Sequence, residues 1–298
     1  MLNKLIIILL FAFGFVLCKP SATTKRKLAE TVKMQYTKLK IGINTVTLPQ
    51  VKNKKNATRY RNIAVDIFMP VSRKKANGIV LMLPGWNFPR NDWYKKTNIF
   101  KMAKKYKFIL ILPEMSKSIY ASQYFNETTR KVFQQPALSW IKNTFLPLMQ
   151  SKYGLLRPGD YNYIMGLSTG ARGVALVSLS NPFLFKAGVA LSGDYDQSKL
   201  PRDYLMTAVY GNFNLNKKRW QEVDNIIHLI KYWHMPIYIG HGKNDKVTPH
   251  NQSQLLYQAL RNERREVDVI FNEPIAGHDY KYWSSEIKPS FDFFTKHH

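Results

Sequence analysis

The recurrence of short, nearly unbroken apolar runs limits what this chain can fold into more than any other feature. Runs at 79–83, 108–112, 161–165, 187–191 and 236–240 carry hardly any polar alternation. A strand with one wet face alternates apolar and polar residues. A continuous apolar run belongs to a strand covered on both faces of a parallel sheet. Helix-like stretches lie between the runs: from Asp92, read as an N-cap, to about Lys105, then 129–153 with Pro136 near a bend, 169–179, 220–233 and 252–261. Strand-like segments at 38–46 and 60–69 come first, and a strand at 266–271 and a helix at 282–295 close the chain. Strands alternating with helices imply crossover units, so the expected class is α/β, a mainly parallel sheet with helices on both faces. Ligand sites on such sheets lie at the carboxyl ends of the strands.

Two connections are longer than these units need, 114–128 and 192–219. The second carries Tyr195, Tyr204, Met206, Tyr210 and Phe213, more apolar area than a solvated loop requires, so a small lid-like insertion is expected there. The length of 298 residues suits one large domain, placed at 41–298.

Before it come Lys4 and an apolar stretch at 5–17, followed by Lys19-Pro20-Ser21. A bilayer-spanning helix needs about 20 apolar residues. The stretch is therefore read as a signal peptide at 1–18, with a basic leader or linker at 19–40, and the protein is expected to be exported to the periplasm or beyond. Cys18, the single cysteine, could end the signal or carry a lipid. Leu17 stands where a lipid-attachment motif has Gly or Ala, so simple export is the expectation.

The formal charge is +26. Such a bias favours electrostatic association with an anionic envelope or membrane surface. It is also what a compositional habit of lineage or compartment would give, and the dispersed lysines favour that reading. No zinc-ligand pattern, RNA-binding signature or basic zipper accompanies the charge, so no nucleic-acid partner is expected.

The chemistry concentrates in three places. Gly166-Leu167-Ser168-Thr169-Gly170 has the form G-x-S-x-G between an expected strand and an expected helix. That arrangement exposes a serine hydroxyl on a sharp turn, with a helix N-terminus beside it. Asp245 lies in a turn after the strand ending at Gly240. A buried carboxylate there can accept an imidazole N–H, or it can merely cap the next helix. Of the 7 histidines, only His278 falls between the last strand and the last helix, which makes it the expected general base. His241 is expected to hold backbone beside the acid. His228 and His234 suit core or surface roles, and His250, His297 and His298 solvated or capping ones. The loop Pro84-Gly85-Trp86-Asn87 offers the Trp86 N–H as a second oxyanion donor beside that of Thr169. Trp93, Tyr120, Tyr124 and Tyr195 are the expected pocket aromatics, alongside Trp86 and Phe125.

Taken with Leu83-Pro84-Gly85-Trp86, Ala190-Leu191-Ser192-Gly193, the acid segment 242–249 and Gly277-His278, these motifs make residues 59–295 resemble the α/β-hydrolase superfamily. Within it they look like the esterase group that includes esterase D and other carboxylesterases. The acid segment is also similar to that of dienelactone hydrolases and prolyl-oligopeptidase-like enzymes. The resemblance implies an α/β-hydrolase fold, a serine carboxylesterase activity, a Ser168–Asp245–His278 triad and the Thr169 and Trp86 amides as oxyanion hole. It implies no metal or organic cofactor, and a small-molecule or polymeric ester as substrate. Many relatives have His-Gly where this chain has Pro84-Gly85, which bears on the shape of the hole. An acyltransferase or peptidase on the same triad, and an inactive exported binding protein, are the alternative readings. Oligomeric state has no signal in the sequence.

Overall fold

The computed structural model describes residues 36–50, 62–129 and 136–298. The expected signal segment at 1–18 and most of the expected leader lie outside the described residues. Tyr36 to His298 form one compact unit. Its upstream end is tied down where the Thr37 N–H donates to the Lys152 carbonyl.

The described strands form one sheet in the order β1-β2-β4-β3-β5-β6-β7-β8. They are β1 (Gly42–Leu48), β2 (Ile63–Met69), β3 (Gly78–Leu83), β4 (Phe108–Pro113), β5 (Asn162–Leu167), β6 (Ala187–Leu191), β7 (Ile237–Gly240) and β8 (Val269–Asn272). The β1–β2 and β2–β4 pairs are antiparallel, and every other pair is parallel. The apolar runs behave as their composition requires: β3 to β7 are buried along their whole length. β1, at the edge, alternates half-buried with exposed positions and has one wet face.

The helices depart from expectation where polar side chains capture the backbone. Asp92 is the first helical residue and not the cap, and the stretch from it is two helices, α1 (Asp92–Lys96) and α2 (Ile99–Tyr106). Thr97 breaks them: its backbone is extended, its hydroxyl donates to the Trp93 carbonyl and also accepts from the Ile99 N–H. Pro136 stands outside the next helix and does not bend it. With no N–H and an extended backbone, it precedes α3 (Ala137–Trp140), which continues through a π-helical turn (Ile141–Phe145) into α4 (Leu146–Tyr153). Residues 130–135 of that expected stretch lie outside the described ones. α5 (Thr169–Ser180) follows the serine turn.

The long connection after β6 carries α6 (Tyr204–Tyr210) and α7 (Lys217–Glu222). The helix expected over 220–233 ends early, because Asp224 takes φ +54° and the Asn225 side chain donates to Asp196 and to the Trp220 carbonyl. α8 (Asn251–Glu263), α9 (Tyr280–Ser285) and α10 (Ile287–Lys296) complete the chain.

Two apolar layers sandwich the sheet, one built on Ile79, Leu81, Ile109, Ile111 and Val174, the other on Val80, Met82, Leu110, Phe291 and Phe294. A third, smaller cluster joins the two long connections: Ile119 and Ala121 from the first pack with Met206, Val209, Tyr210 and Trp220 from the second. That cluster holds the two long connections together.

Candidate active site

The turn between β5 and α5 is built for a serine that no ordinary strand–helix connection would hold. Ser168 has φ +54° and ψ −127°, outside the regions open to most residues. Its neighbours must be glycines. A Cβ on Gly166 would fall 2.2 Å from the Gly170 carbonyl oxygen, and one on Gly170 would fall 2.2 Å from the Leu83 carbonyl oxygen. The Ser168 N–H is anchored to the Leu191 carbonyl at 2.8 Å. Its hydroxyl sits at the first turn of α5, where amides without intrahelical acceptors point outward.

Asp245 occupies the turn after β7, and both of its carboxylate oxygens are engaged. Oδ1 accepts from the Val247 and Thr248 N–H groups at 2.8 and 2.9 Å. Oδ2 accepts from His278 Nδ1 at 2.6 Å. His278 Nε2 in turn lies 3.0 Å from Ser168 Oγ. The three residues named from sequence are thus brought into one hydrogen-bonded line across 110 residues of chain. Because Oδ2 can only accept, His278 carries its proton on Nδ1, which leaves the Nε2 lone pair facing the serine hydroxyl. The Asp245 side chain has no solvent exposure. Burial pushes its carboxyl up, but hydrogen bonds from His241 and His278, the His278 charge and the Thr248 N–H outweigh burial and hold it well below the usual carboxylate range. Such a line can move a proton off the hydroxyl while the carboxylate stays ionised.

The acid and histidine loops run side by side, with the Lys243 N–H donating to the Pro274 carbonyl and the Asn244 N–H to the Ala276 carbonyl. Trp283 from α9 meets the His278 ring edge-on, with 5.0 Å between centroids, and its indole N–H donates to Ser192 Oγ at 3.1 Å. Trp283 fixes the plane of the imidazole, and nothing in its sequence position announced that. His241 holds backbone as expected, with Nε2 at 3.1 Å from the Thr248 carbonyl. It also lies 3.3 Å from Asp245 Oδ2, a contact the sequence reading missed.

The loop after β3 presses on the serine: a Cβ on Gly85 would stand 3.0 Å from the Cβ of Ser168. Trp86 follows it, half-buried against the cluster that joins the two long connections. Tyr124 packs on the same cluster and is half-buried. Phe125 is partly buried on that cluster too, whereas Trp93, Tyr120 and Tyr195 do not line an open cleft. Trp93 is fully enclosed in the layer with Leu110 and Phe291. Tyr195 is enclosed in the opposite layer. Tyr120 is enclosed too, and its hydroxyl donates to the Pro84 carbonyl at 2.8 Å, so it braces the Gly85–Trp86 loop from behind. Large rings beside chain turns gain more from complete burial than from a wet rim, which spacing alone does not reveal.

Among the described residues, no group of three His, Cys, Asp or Glu side chains is placed to hold a metal ion.

Known proteins resemble this chain in sequence and in fold. An acetyl esterase of Caldicellulosiruptor saccharolyticus is 25% identical over 232 residues, 72% of this chain and 82% of that protein. The fold matches a fluorophosphonate-binding serine hydrolase of Staphylococcus aureus with a TM-score of 0.65 at 18% identity, covering 85% of this chain and 98% of the other. It matches an S-formylglutathione hydrolase of Agrobacterium tumefaciens with a TM-score of 0.67 at 15% identity, covering 87% and 97%. The family model described as "Putative esterase" matches residues 57–294, a span that holds the serine turn, the acid loop and the histidine loop together. This chain therefore belongs to the esterase family and has the α/β-hydrolase fold.

Proposed function

We propose that the chain cleaves carboxylic esters through an acyl-enzyme, with Ser168 as nucleophile, His278 as general base and acid, and Asp245 as the acid that orients it. His278 Nε2 takes the hydroxyl proton as Ser168 Oγ bonds to the ester carbonyl carbon. The carbonyl oxygen becomes an oxyanion that rests on the Thr169 and Trp86 amides. Collapse expels the alcohol, which leaves with the proton from Nε2. Water then attacks the acyl group, giving its proton to the same nitrogen, and the acid departs as Ser168 is restored. Asp245 stays ionised throughout and stabilises the imidazolium.

The observation that carries this reading is the pair of distances at His278, 2.6 Å to the carboxylate and 3.0 Å to the hydroxyl. The names of the relatives, an acetyl esterase and an S-formylglutathione hydrolase, support a small acyl group. The apolar stretch at 5–17 supports export. Labelling with a fluorophosphonate probe tests the chemistry. The wild-type protein takes the probe and hydrolyses nitrophenyl acetate, and Ser168→Ala does neither. Undiminished labelling of Ser168→Ala would remove the nucleophile from the proposal.

A further inference from the structure

The buried line that ends at Ser168 does not begin at Asp245. His241 is fully enclosed and shares Asp245 Oδ2 with His278. Its two ring nitrogens have unequal partners. Nε2 faces only acceptors, the Thr248 carbonyl at 3.1 Å and Asp245 Oδ2 at 3.3 Å, so it carries the proton. Nδ1 faces the Ser253 hydroxyl at 2.7 Å, a group able to donate to it. The neutral tautomer with Nε2–H therefore satisfies every partner, and Ser253 holds it in place.

We propose that His241 is a positioning residue for the hydrolytic reaction: its Nε2–H clamps both ends of the acid turn and draws charge from the Asp245 oxygen that His278 uses. The inference rests on the triad reading above. The physical argument concerns the donors on one oxygen. Asp245 Oδ1 is already saturated by two backbone amides. Oδ2 alone is free to turn its charge towards His278, and a second N–H beside it weakens what His278 feels. Without His241 the carboxylate faces His278 with undivided charge. The imidazolium is then held more strongly, and a higher pH is needed to obtain the neutral base. The acidic limb of the kcat/KM profile therefore moves up in pH. Loosening of the Asp245–Thr248 turn acts in parallel, lowering kcat by letting Nε2 of His278 drift from Ser168.

The other groups around this centre do not substitute for His241. His250 stands 5.4 Å from the His241 ring and is committed to Glu273 at 3.1 Å. Burial pushes its imidazole below the usual value. Glu273 also faces Lys243 at 3.5 Å. Lys246 lies on the acid turn and is exposed. Asp279 is occupied as the cap of α9, accepting from the Tyr282 N–H. Tyr195, from the loop after β6, and Tyr282, from α9, are pushed up by burial and remain neutral, and Tyr280 is pushed up likewise.

The test is the pH profile of kcat/KM on nitrophenyl acetate for His241→Ala, His241→Gln and Ser253→Ala, with thermal unfolding of each. In His241→Ala, kcat drops about tenfold and the acidic limb rises by roughly half a pH unit. His241→Gln, whose amide can donate to Oδ2 and accept from Ser253, returns the limb to its wild-type position. Ser253→Ala moves it in the same direction by a smaller amount. A folded His241→Ala whose limb coincides with wild type overturns the proposal, as does a His241→Gln limb displaced as far as that of alanine. If His241→Ala fails to fold, an unmoved limb in Ser253→Ala decides against it. Failure of the triad reading looks different, because Ser168→Ala would then keep wild-type turnover while the His241 variants are irrelevant to it.

Discussion

Asp245 and Asp194 occupy equivalent places on neighbouring strands, the turn after β7 and the turn after β6, and both are buried. Their carboxyls are nonetheless pushed in opposite directions. Burial raises both. At Asp194 burial prevails, because the main opposing influence is the Arg172 guanidinium at 3.2 Å, while Asp203 adds a like charge. At Asp245 two amides and two imidazoles surround the oxygens, and the carboxyl falls well below its ordinary range. Depth alone therefore does not decide which way a buried carboxyl is pushed; the number of donors on its oxygens does. Asp194 belongs to a static network. Arg172, in the first turn of α5, reaches Asp194, Gln197, the Tyr210 hydroxyl and the Asp224 carbonyl. Asp224 also accepts from the Ser122 N–H, so both long connections are tied to α5 through one buried cation. Burial opposes the Arg172 charge, but Tyr210, Asp194 and Asp224 outweigh it and keep the guanidinium ionised.

If this contrast is right, Asp245→Asn disables the enzyme and leaves it folded. The new amide donates to His278 Nδ1 and forces the tautomer whose Nε2–H points at the serine, so the base has no lone pair to offer. We expect kcat on nitrophenyl esters to fall about 10³–10⁴-fold, with a thermal transition that stays cooperative but lies below wild type, since the ionised carboxylate and its donors no longer stabilise the fold. Retained turnover would erase the distinction between the two carboxylates.

Arg172→Met should do the reverse. Removing the cation strands Asp194 and Asp224 without it, and a broken buried pair costs about 3–5 kcal/mol, readable as a lower urea midpoint. Turnover per folded molecule should fall by less than about tenfold, since no reacting atom is touched. A large kcat effect with unchanged stability would show that the network reaches the chemistry directly.

Tyr120→Phe probes the boundary between the two regions. Its hydroxyl braces the Pro84 carbonyl beneath the Gly85–Trp86 loop. Leaving that carbonyl without its donor should cost about 1 kcal/mol in urea titrations. If the loop carries the second oxyanion amide, kcat should fall and KM stay nearly constant, because the contact matters only once charge develops.

The parts of this molecule that could be read from sequence were those fixed by short-range chemistry. The runs now seen as β3 to β7 are apolar because both faces are covered. Gly166 and Gly170 leave so little choice that the serine turn follows from five letters. Asp245 and His278 were legible through chain order and loop position alone. What escaped depends on side chains from distant segments. Thr97 and Asn225 end helices by bonding their neighbours' backbone, against an apolar pattern that favoured continuation. Trp93, Tyr120 and Tyr195 looked like pocket walls but serve as enclosed supports, since spacing gives the loop and not the direction of the ring. His241 was placed beside the acid, yet its second contact emerges only when the turn closes and brings Oδ2 within 3.3 Å.

The smallest expected effect is the finest test of the comparison. A carboxyl whose folded value is raised, as at Asp194, favours the folded state more when protonated. Its charged form weighs on stability at neutral pH, and that burden lifts as pH falls through the raised value. Asp245 has the opposite sign: its contribution is full above the ordinary carboxylate value and is lost only as pH falls through its depressed folded value. Asp194→Asn keeps the shape and one acceptor for Arg172 but cannot ionise. Its stability loss at pH 7 should stay under about 2 kcal/mol, below that of Arg172→Met. The gain in stability that wild type shows on moving from neutral towards mildly acidic pH should shrink in the variant. Urea titrations at pH 5 and pH 7 measure this directly. A variant that keeps the full wild-type gain would mean that Asp194 is as well supplied with donors as Asp245.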